Sequence, residues 1–278
     1  MKAIVLRHPG GPSALSYEDV PTPKVRDGWT LLKVKGFGIN RSEIFTRNGW
    51  SPSVKLPRIL GIECVGEVVE TTDSDHLLKG QIVVSVMGGM GRVFNGSYAE
   101  YVLLSNKQIY SVNTKLTISD LSAVPETYGT AYGSLLKLQL DDADELKSVG
   151  FDEVVLDQDN QLQTGDQKFD RILELVGALT LPNSMKFIQP NGITCVTGEL
   201  GGVWDLTHFE PISQLNGGYL TSFESGALDQ RMFDDLFDII NSSHIDVAPT
   251  KVFDLKHTAD AQAYLDSHDS FGKVVVLS

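Results

Sequence analysis

Side chains able to do covalent or metal chemistry are few and scattered in this 278-residue chain. The two cysteines, Cys64 and Cys195, share no CxxC spacing, so neither a zinc knuckle nor a disulfide framework is predicted. Both are read as buried thiols of a reducing compartment. None of the six histidines stands at a spacing suited to metal binding or nucleophilic catalysis. Ser97 and Ser134 lack the Gly-x-Ser-x-Gly turn that presents a hydrolase nucleophile. Gly89-Met90-Gly91-Arg92-Val93-Phe94 invites a phosphate-binding reading, but the third glycine is missing and the stretch lies between predicted strands, so it is a loop. Residues 141–170 carry ten carboxylates against Lys147 and Lys168, a run that suits a solvated surface better than a cation site. The net charge of -13 repels phosphate backbones and anionic lipid. Nucleic-acid and membrane-surface partners are thereby disfavoured, and small-molecule chemistry is expected.

Any such chemistry must be positioned by a chain with 41% hydrophobic residues, enough for one large core or two moderate ones. The first third is predicted to be all-β, from short apolar runs at residues 3–6, 30–37, 64–71, 82–86 and 98–104 punctuated by Gly, Pro and Asp. A broken helical period follows over residues 119–140, carried by Leu121, Ala123, Val124, Ala131, Leu135, Leu136 and Leu138. Short runs at 154–156, 172–176, 193–197 and 219–223 then alternate with helical or loop stretches, which predicts a parallel α/β sheet. Helices over 230–242 and 257–267 flank a strand at 250–255, and Lys273-Val274-Val275-Val276-Leu277 closes the chain. No internal repeat and no run of transmembrane length is present, and Met1 leads straight into Lys2-Ala3-Ile4-Val5-Leu6 without a signal-peptide pattern. The cytoplasm is the expected location.

That order of elements, with several local segments, resembles the medium-chain dehydrogenase/reductase family, and within it the zinc-independent NADPH:quinone oxidoreductases. The segments are Gly36-Phe37-Gly38-Ile39-Asn40-Arg41-Ser42-Glu43, Leu60-Gly61-Ile62-Glu63-Cys64-Val65-Gly66-Glu67-Val68, Gly96-Ser97-Tyr98-Ala99-Glu100-Tyr101 and Pro125-Glu126-Thr127-Tyr128-Gly129-Thr130-Ala131-Tyr132. Similar stretches at 170–177, 192–198 and 271–275 extend the resemblance over nearly the whole chain. It implies an α/β plus β fold. A chaperonin-10-like β-barrel catalytic domain, residues 1–123 and 247–278, is interrupted by a Rossmann-type parallel α/β nucleotide-binding domain at 124–246 that is incomplete in this sequence. It also implies NADP as cofactor, a quinone or related enone as substrate, and a homodimer.

Where zinc-bearing relatives place a cysteine and a histidine, this chain has Ile39-Asn40-Arg41 and Ile62, and the four cysteines of their structural zinc lobe are absent, so no zinc site is expected. Quinones and enones suit that absence, because their conjugated oxygen accepts charge that a hydrogen-bond donor can stabilise. By resemblance, Asn40 lies beside the nicotinamide, orienting the ring or bonding a substrate oxygen; the plainer reading is a turn residue. Thr127 and Thr130 match positions where a helix approaches the cofactor, or are capping and surface hydroxyls. Tyr128 supplies an acidic hydroxyl or a wall for a flat substrate, or is a half-buried structural tyrosine. Val176, Gly177 and Gly198 end consecutive parallel strands, where open α/β sheets bind ligands, although turn glycines are also common there. Lys273 follows Gly272 where the family contacts cofactor phosphate, with a solvated lysine as the alternative. Arg41, Glu43 and Glu63 could hold an acid/base pair, but a buried structural ion pair among them is the better reading.

The departure from the family lies after Leu138. Relatives continue there with a strand, a glycine-rich turn, a helix and a second strand, whereas here Gln139-Leu140-Asp141-Asp142 leads directly to Ala143-Asp144-Glu145-Leu146-Lys147-Ser148-Val149-Gly150. The absent unit would hold the helix N-terminus that binds pyrophosphate, so NADP binding is expected to be compromised if the segment is truly lacking. Either the chain has lost the unit, or the 278 residues omit it. A real loss exposes apolar sheet edges, a cost that favours omission. Two other functions stay open, a 2-alkenal or other enone reductase and a non-catalytic relative that binds a ligand or partner; Trp50, Pro52 and Pro57 suggest a semi-rigid apolar wall that fits quinones and enones alike.

Overall fold

A computed structural model describes residues 1–139, 155, 157–267 and 270–278. The seam at 140–143, the segment 143–150 and most of the strand expected at 154–156 lie outside the described residues. Two compact units form, Met1–Gly129 with Leu228–Ser278, and Thr130–Ala227.

In the first unit the strands are β1 (Lys2–Leu6), β2 (Leu15–Asp19), β3 (Trp29–Gly38), β4 (Arg58–Ile59), β5 (Glu63–Thr71), β6 (Ile82–Val86), β7 (Tyr101–Ser105) and β8 (Tyr110–Ser111). Helix α1 (Arg41–Arg47) follows β3, α2 (Ile118–Leu121) follows β8, and α3 (Thr127–Lys137) leads out of the unit. The helical period expected over 119–140 is thus two helices, because Pro125 supplies no N–H to continue α2.

The second unit holds β9 (Asp157–Gln158), β10 (Gln161–Leu162), β11 (Phe169–Glu174), α4 (Leu181–Ser184), β12 (Ile188–Val196), α5 (Pro211–Gln214) and β13 (Tyr219–Ser222). The chain then returns to the first unit with α6 (Gln230–Ser243), β14 (Lys251–Asp254), α7 (Thr258–Asp266) and β15 (Val274–Leu277). Expected domain changes stood at 124 and 247; the compact units change over at Thr130 and Leu228. The return is early because α6 packs on the β-rich unit: Phe233 lies 4.9 Å from the Tyr110 ring, and Tyr110 Oη donates to the Leu228 carbonyl at 2.9 Å.

The β-rich unit is built as two sheets, one ordered β2-β1-β4 and one ordered β14-β15-β3-β5-β6-β8, with β7 also paired to β3. Among the described residues these sheets do not close into the single barrel that the resemblance implies. Ladder contact between β1 and the segment before β7 is a single bridge, Ala3 to Ala99, flanked by Ile4 N–H donating to Tyr98 O at 2.8 Å. On the other side of the bridge the Glu100 N–H donates to Lys2 O at 3.0 Å, the Ala99 N–H bonds to the Ser97 carbonyl at 2.6 Å, and the strand expected at 98 begins at Tyr101. Between the sheets lies the core, with Ile4, Leu6, Leu32, Val34, Val274 and Val276 buried and Phe37 stacked on Tyr98 at 4.7 Å.

The second unit carries a parallel sheet ordered β11-β12-β13, with Ile172 opposite Thr194 and Thr194 opposite Leu220. This is the parallel α/β arrangement expected from the alternating apolar runs. Leu173 and Tyr219 remain 40% and 62% exposed, although strands of a sheet covered on both faces would bury such side chains.

Candidate active site

Strand register decides which residues meet. β3 pairs along one edge with β5, and at the C-terminal end of its other edge with β15, both antiparallel. Gly36 stands opposite Val65, and Gly38 opposite Val275. The exit of β3, the start of β5 and the residue before β15 therefore converge, bringing together Asn40, Glu63 and Lys273. Lys273 Nζ donates to Asn40 Oδ1 at 2.6 Å and to Glu63 Oε1 at 2.8 Å. Asn40 Nδ2 donates to the same Glu63 oxygen at 2.9 Å, and the Glu126 backbone N–H donates to Glu63 Oε2 at 2.9 Å. Glu63 is fully buried and the Lys273 side chain is 10% exposed. Gly38 makes room: a Cβ there would fall on the Glu63 carboxylate and the end of the Lys273 side chain.

Asn40 also caps α1, as a short polar residue before a helix commonly does. Its backbone N–H donates to Glu43 Oε2 at 2.9 Å, while Glu43 Oε1 accepts the Ile62 N–H at 3.1 Å. Burial, then the nearby Glu63 charge, pushes the Glu43 carboxyl up to about 8 against the opposing pull of Lys273. The expected ion pair among Arg41, Glu43 and Glu63 is corrected: Glu63 pairs with Lys273, and Arg41 reaches outward to Asp266 at 3.1 Å. Helical geometry explains this, since Arg41 begins α1 on its solvent side while Glu43 points inward. The sequence reading missed Arg47, which is 2% exposed and donates to Gln262 Oε1 at 2.9 Å and to Asp266 at 3.1 Å.

Of the residues expected on α3, Thr127 is exposed at the first position. Tyr128 Oη donates to the Asp246 carbonyl at 3.2 Å, and burial, then Asp246, raises its phenol above the ordinary value. An acidic hydroxyl would need the opposite shift. The Thr130 carbonyl accepts the Ser134 hydroxyl at 2.6 Å, and Ser134 Oγ meets Thr197 Oγ1 at 2.7 Å.

In the second unit the turns after β11 and β12 lie side by side, bringing Val176, Gly177 and Gly198 together. Gly201 N–H donates to Val176 O at 2.9 Å, and Gly198 has no room for a Cβ because it would strike the Leu175 carbonyl. Gly177 adopts a φ of 91°, open to glycine at little cost. The residue that organises this turn was not anticipated. Glu174, 4% exposed, accepts from Val176 N at 2.8 Å, Gly177 N at 3.2 Å, Thr180 Oγ1 at 2.9 Å and Ser184 Oγ at 2.6 Å. A carboxylate two residues before a Val-Gly pair, at the end of a strand, was the available signal. The backbone donors of this turn are consequently occupied.

No group of three or more His, Cys, Asp or Glu side chains placed to hold a metal occurs among the described residues, and no described helix is long and apolar enough to cross a membrane. Ile39 and Ile62, flanking the Asn40 network, are 2% and 3% exposed in the core.

Comparison with known proteins places this geometry. The alcohol dehydrogenase GroES-like domain family matches residues 26–114, and the zinc-binding dehydrogenase family matches residues 149–276. The chain is 30% identical over 139 residues to quinone oxidoreductase of Homo sapiens, covering 49% of this chain and 41% of that protein. It is 26% identical over 152 residues to a zinc-type alcohol dehydrogenase-like protein of Schizosaccharomyces pombe, covering 54% and 46%. The chain thus spans less than half the length of these curated relatives in the matched stretch. Among solved structures, the quinone oxidoreductase from Coxiella burnetii superposes with a TM-score of 0.82 at 19% identity, covering 100% of this chain and 99% of that one. A mycobacterial protein complexed with NADPH gives 0.80 at 23% identity, with 100% of each chain covered. At these identities the structural likeness speaks for the fold. Taken with the two family matches and the β-rich and parallel α/β units, it makes this chain similar to medium-chain dehydrogenases/reductases, quinone oxidoreductases among them.

Proposed function

We propose that the chain is an oxidoreductase that passes hydride from NADPH to a quinone or related enone without zinc. One observation carries the reading: the Asn40 amide is clamped between the Lys273 ammonium and the Glu63 carboxylate. The clamp fixes which end of the amide is donor, and leaves one Nδ2–H and the third Lys273 donor for an acceptor oxygen. Donors fixed in advance beside a buried ion pair stabilise an oxygen that gains charge, which is what a quinone or enone requires on reduction. The 30% identity with a quinone oxidoreductase supports the same class. A homodimer in the cytoplasm completes the reading.

A nicotinamide cofactor would supply the hydride, and the described residues do not cradle its pyrophosphate. The N–H groups of Val176 and Gly177, after a parallel strand, are held by Glu174, so this turn does not replace the donors of the absent unit, and its carboxylate opposes a second anion. The chain as written is therefore expected to show no saturable change in nicotinamide fluorescence into the high micromolar range, and negligible quinone reduction. Inserting a relative's strand-turn-helix-strand unit between Leu140 and Ala143 should restore both, with 1,4-benzoquinone and 2-hexenal compared as acceptors. Tight NADPH binding by the unmodified chain would overturn the argument about the phosphate site. Restored binding without reduction of either acceptor would overturn the reductase in favour of a non-catalytic relative.

A further inference from the structure

The first unit holds a cavity that shares no residue with the Asn40 network. Its volume is about 470 Å³, within the range of small-molecule sites, and it opens beside β1, β4 and β7. Aromatic rings form one wall: Trp29 and Phe94 meet edge to face at 5.2 Å, and Tyr101 also lines the space. Three arginines border it in a chain whose net charge is -13. Arg7 is neutralised by a two-pronged pair with Glu18, at 3.0 and 2.6 Å. The other two have no carboxylate partner among the described residues. Arg26 lies with its guanidinium 3.9 Å from the centre of the Trp29 ring, which fixes it over the aromatic wall.

Arg58 is the more telling group. It is half-buried, its Nη2 donates to the Lys55 carbonyl at 3.2 Å, and its Nη1 makes a long contact with Asn95 Oδ1 at 3.4 Å. Its Nε is buried with no hydrogen-bond partner. Burial without a compensating charge lowers its pKa from the usual arginine value. A buried guanidinium donor left open costs free energy that an anion would recover, because the five N–H groups suit a planar carboxylate.

We propose that this cavity is a binding site for a flat aromatic carboxylate, its ring on the Trp29–Phe94 wall and its carboxylate on Arg58 and Arg26. Neutral aromatics would meet the same wall but leave Arg58 uncompensated, so charge sets the preference. The site lies outside the Asn40 network, and its occupancy does not depend on the reductase reading.

Calorimetric titration of the purified chain with 2-naphthoate tests the site, with the neutral isostere 2-naphthamide as comparison. The expected result is one saturable site, at least tenfold tighter for 2-naphthoate, and weakened by added salt. Arg58→Met should reduce naphthoate affinity at least tenfold and leave naphthamide unchanged. Arg26→Met, on an exposed side chain whose loss cannot unfold the chain, should reduce it severalfold. The proposal is overturned if no saturation occurs, if the two probes bind equally, if Arg26→Met and Arg58→Met both bind like the parent, or if NADPH displaces the probe competitively.

Discussion

At the scale of single residues, the amide of Asn40 and the carboxyl of Glu43 make separate predictions. Asn40→Ala removes one donor from Glu63 and the acceptor of Lys273, so it should destabilise the fold by about 1–3 kcal/mol. If the amide meets a developing oxyanion, turnover with a quinone in a cofactor-competent form should fall roughly 10²-fold with the protein still folded. Unchanged turnover would reduce Asn40 to a structural clamp. For Glu43 the sign follows from its raised pKa. Between its ordinary value of 4.5 and about 8 the folded state keeps a proton that the unfolded chain has released. Its contribution is full below pH 4.5 and is lost as pH rises through 8, with an upper size of about 5 kcal/mol. Glu43→Gln should flatten the fall in melting temperature across pH 5–8, and an unaltered slope would show that another group titrates there.

At the scale of elements, the candidate site depends on β3 passing close to both β5 and β15. Gly38 is the point of closest approach, since any side chain there meets Glu63 and Lys273. Gly38→Ala should separate a buried ion pair and cost roughly 3 kcal/mol or more in a chemical denaturation midpoint analysis. A milder Gly36→Ala comparison is not a neutral control, because a Cβ at Gly36 meets Ser122 and Leu277. Little change in Gly38→Ala would mean that the strands can part without loss and that the pair contributes little. In the second unit the turns after β11 and β12 hold each other through backbone contacts, with Glu174 beneath them. Gly198 in particular is required by packing, since a Cβ there would strike the Leu175 carbonyl.

At the scale of the whole molecule, the residues that flank Asn40 are apolar where zinc-bearing relatives have soft ligands, and this leads to a metal prediction. Purified protein should carry less than one tenth equivalent of zinc by elemental analysis, and chelators should leave any reductase activity of the cofactor-competent form intact. One tightly bound equivalent would overturn the argument from Ile39 and Ile62. Exposed Leu173 and Tyr219 on the parallel sheet also mark the second unit as the part of the molecule where apolar surface is least covered.

The sequence by itself determined the kind of fold, because alternating apolar runs and helical periods act locally: the β-rich first third, the parallel strands at 172–176, 193–197 and 219–223, and the terminal strand were all legible from side-chain pattern. It also brought Asn40 forward, through the Gly38-Ile39-Asn40-Arg41 segment. Partnership was beyond it. Lys273 and Asn40 are 233 residues apart, and only the antiparallel register of β3 with β15 turns a residue expected at a phosphate into the ammonium that clamps the Asn40 amide. The two sheets of the β-rich unit likewise meet at a single bridge, Ala3 to Ala99, where the resemblance implies one closed barrel. Hydrogen-bond choices of this kind are settled by the positions of distant backbone groups, which a periodicity does not record.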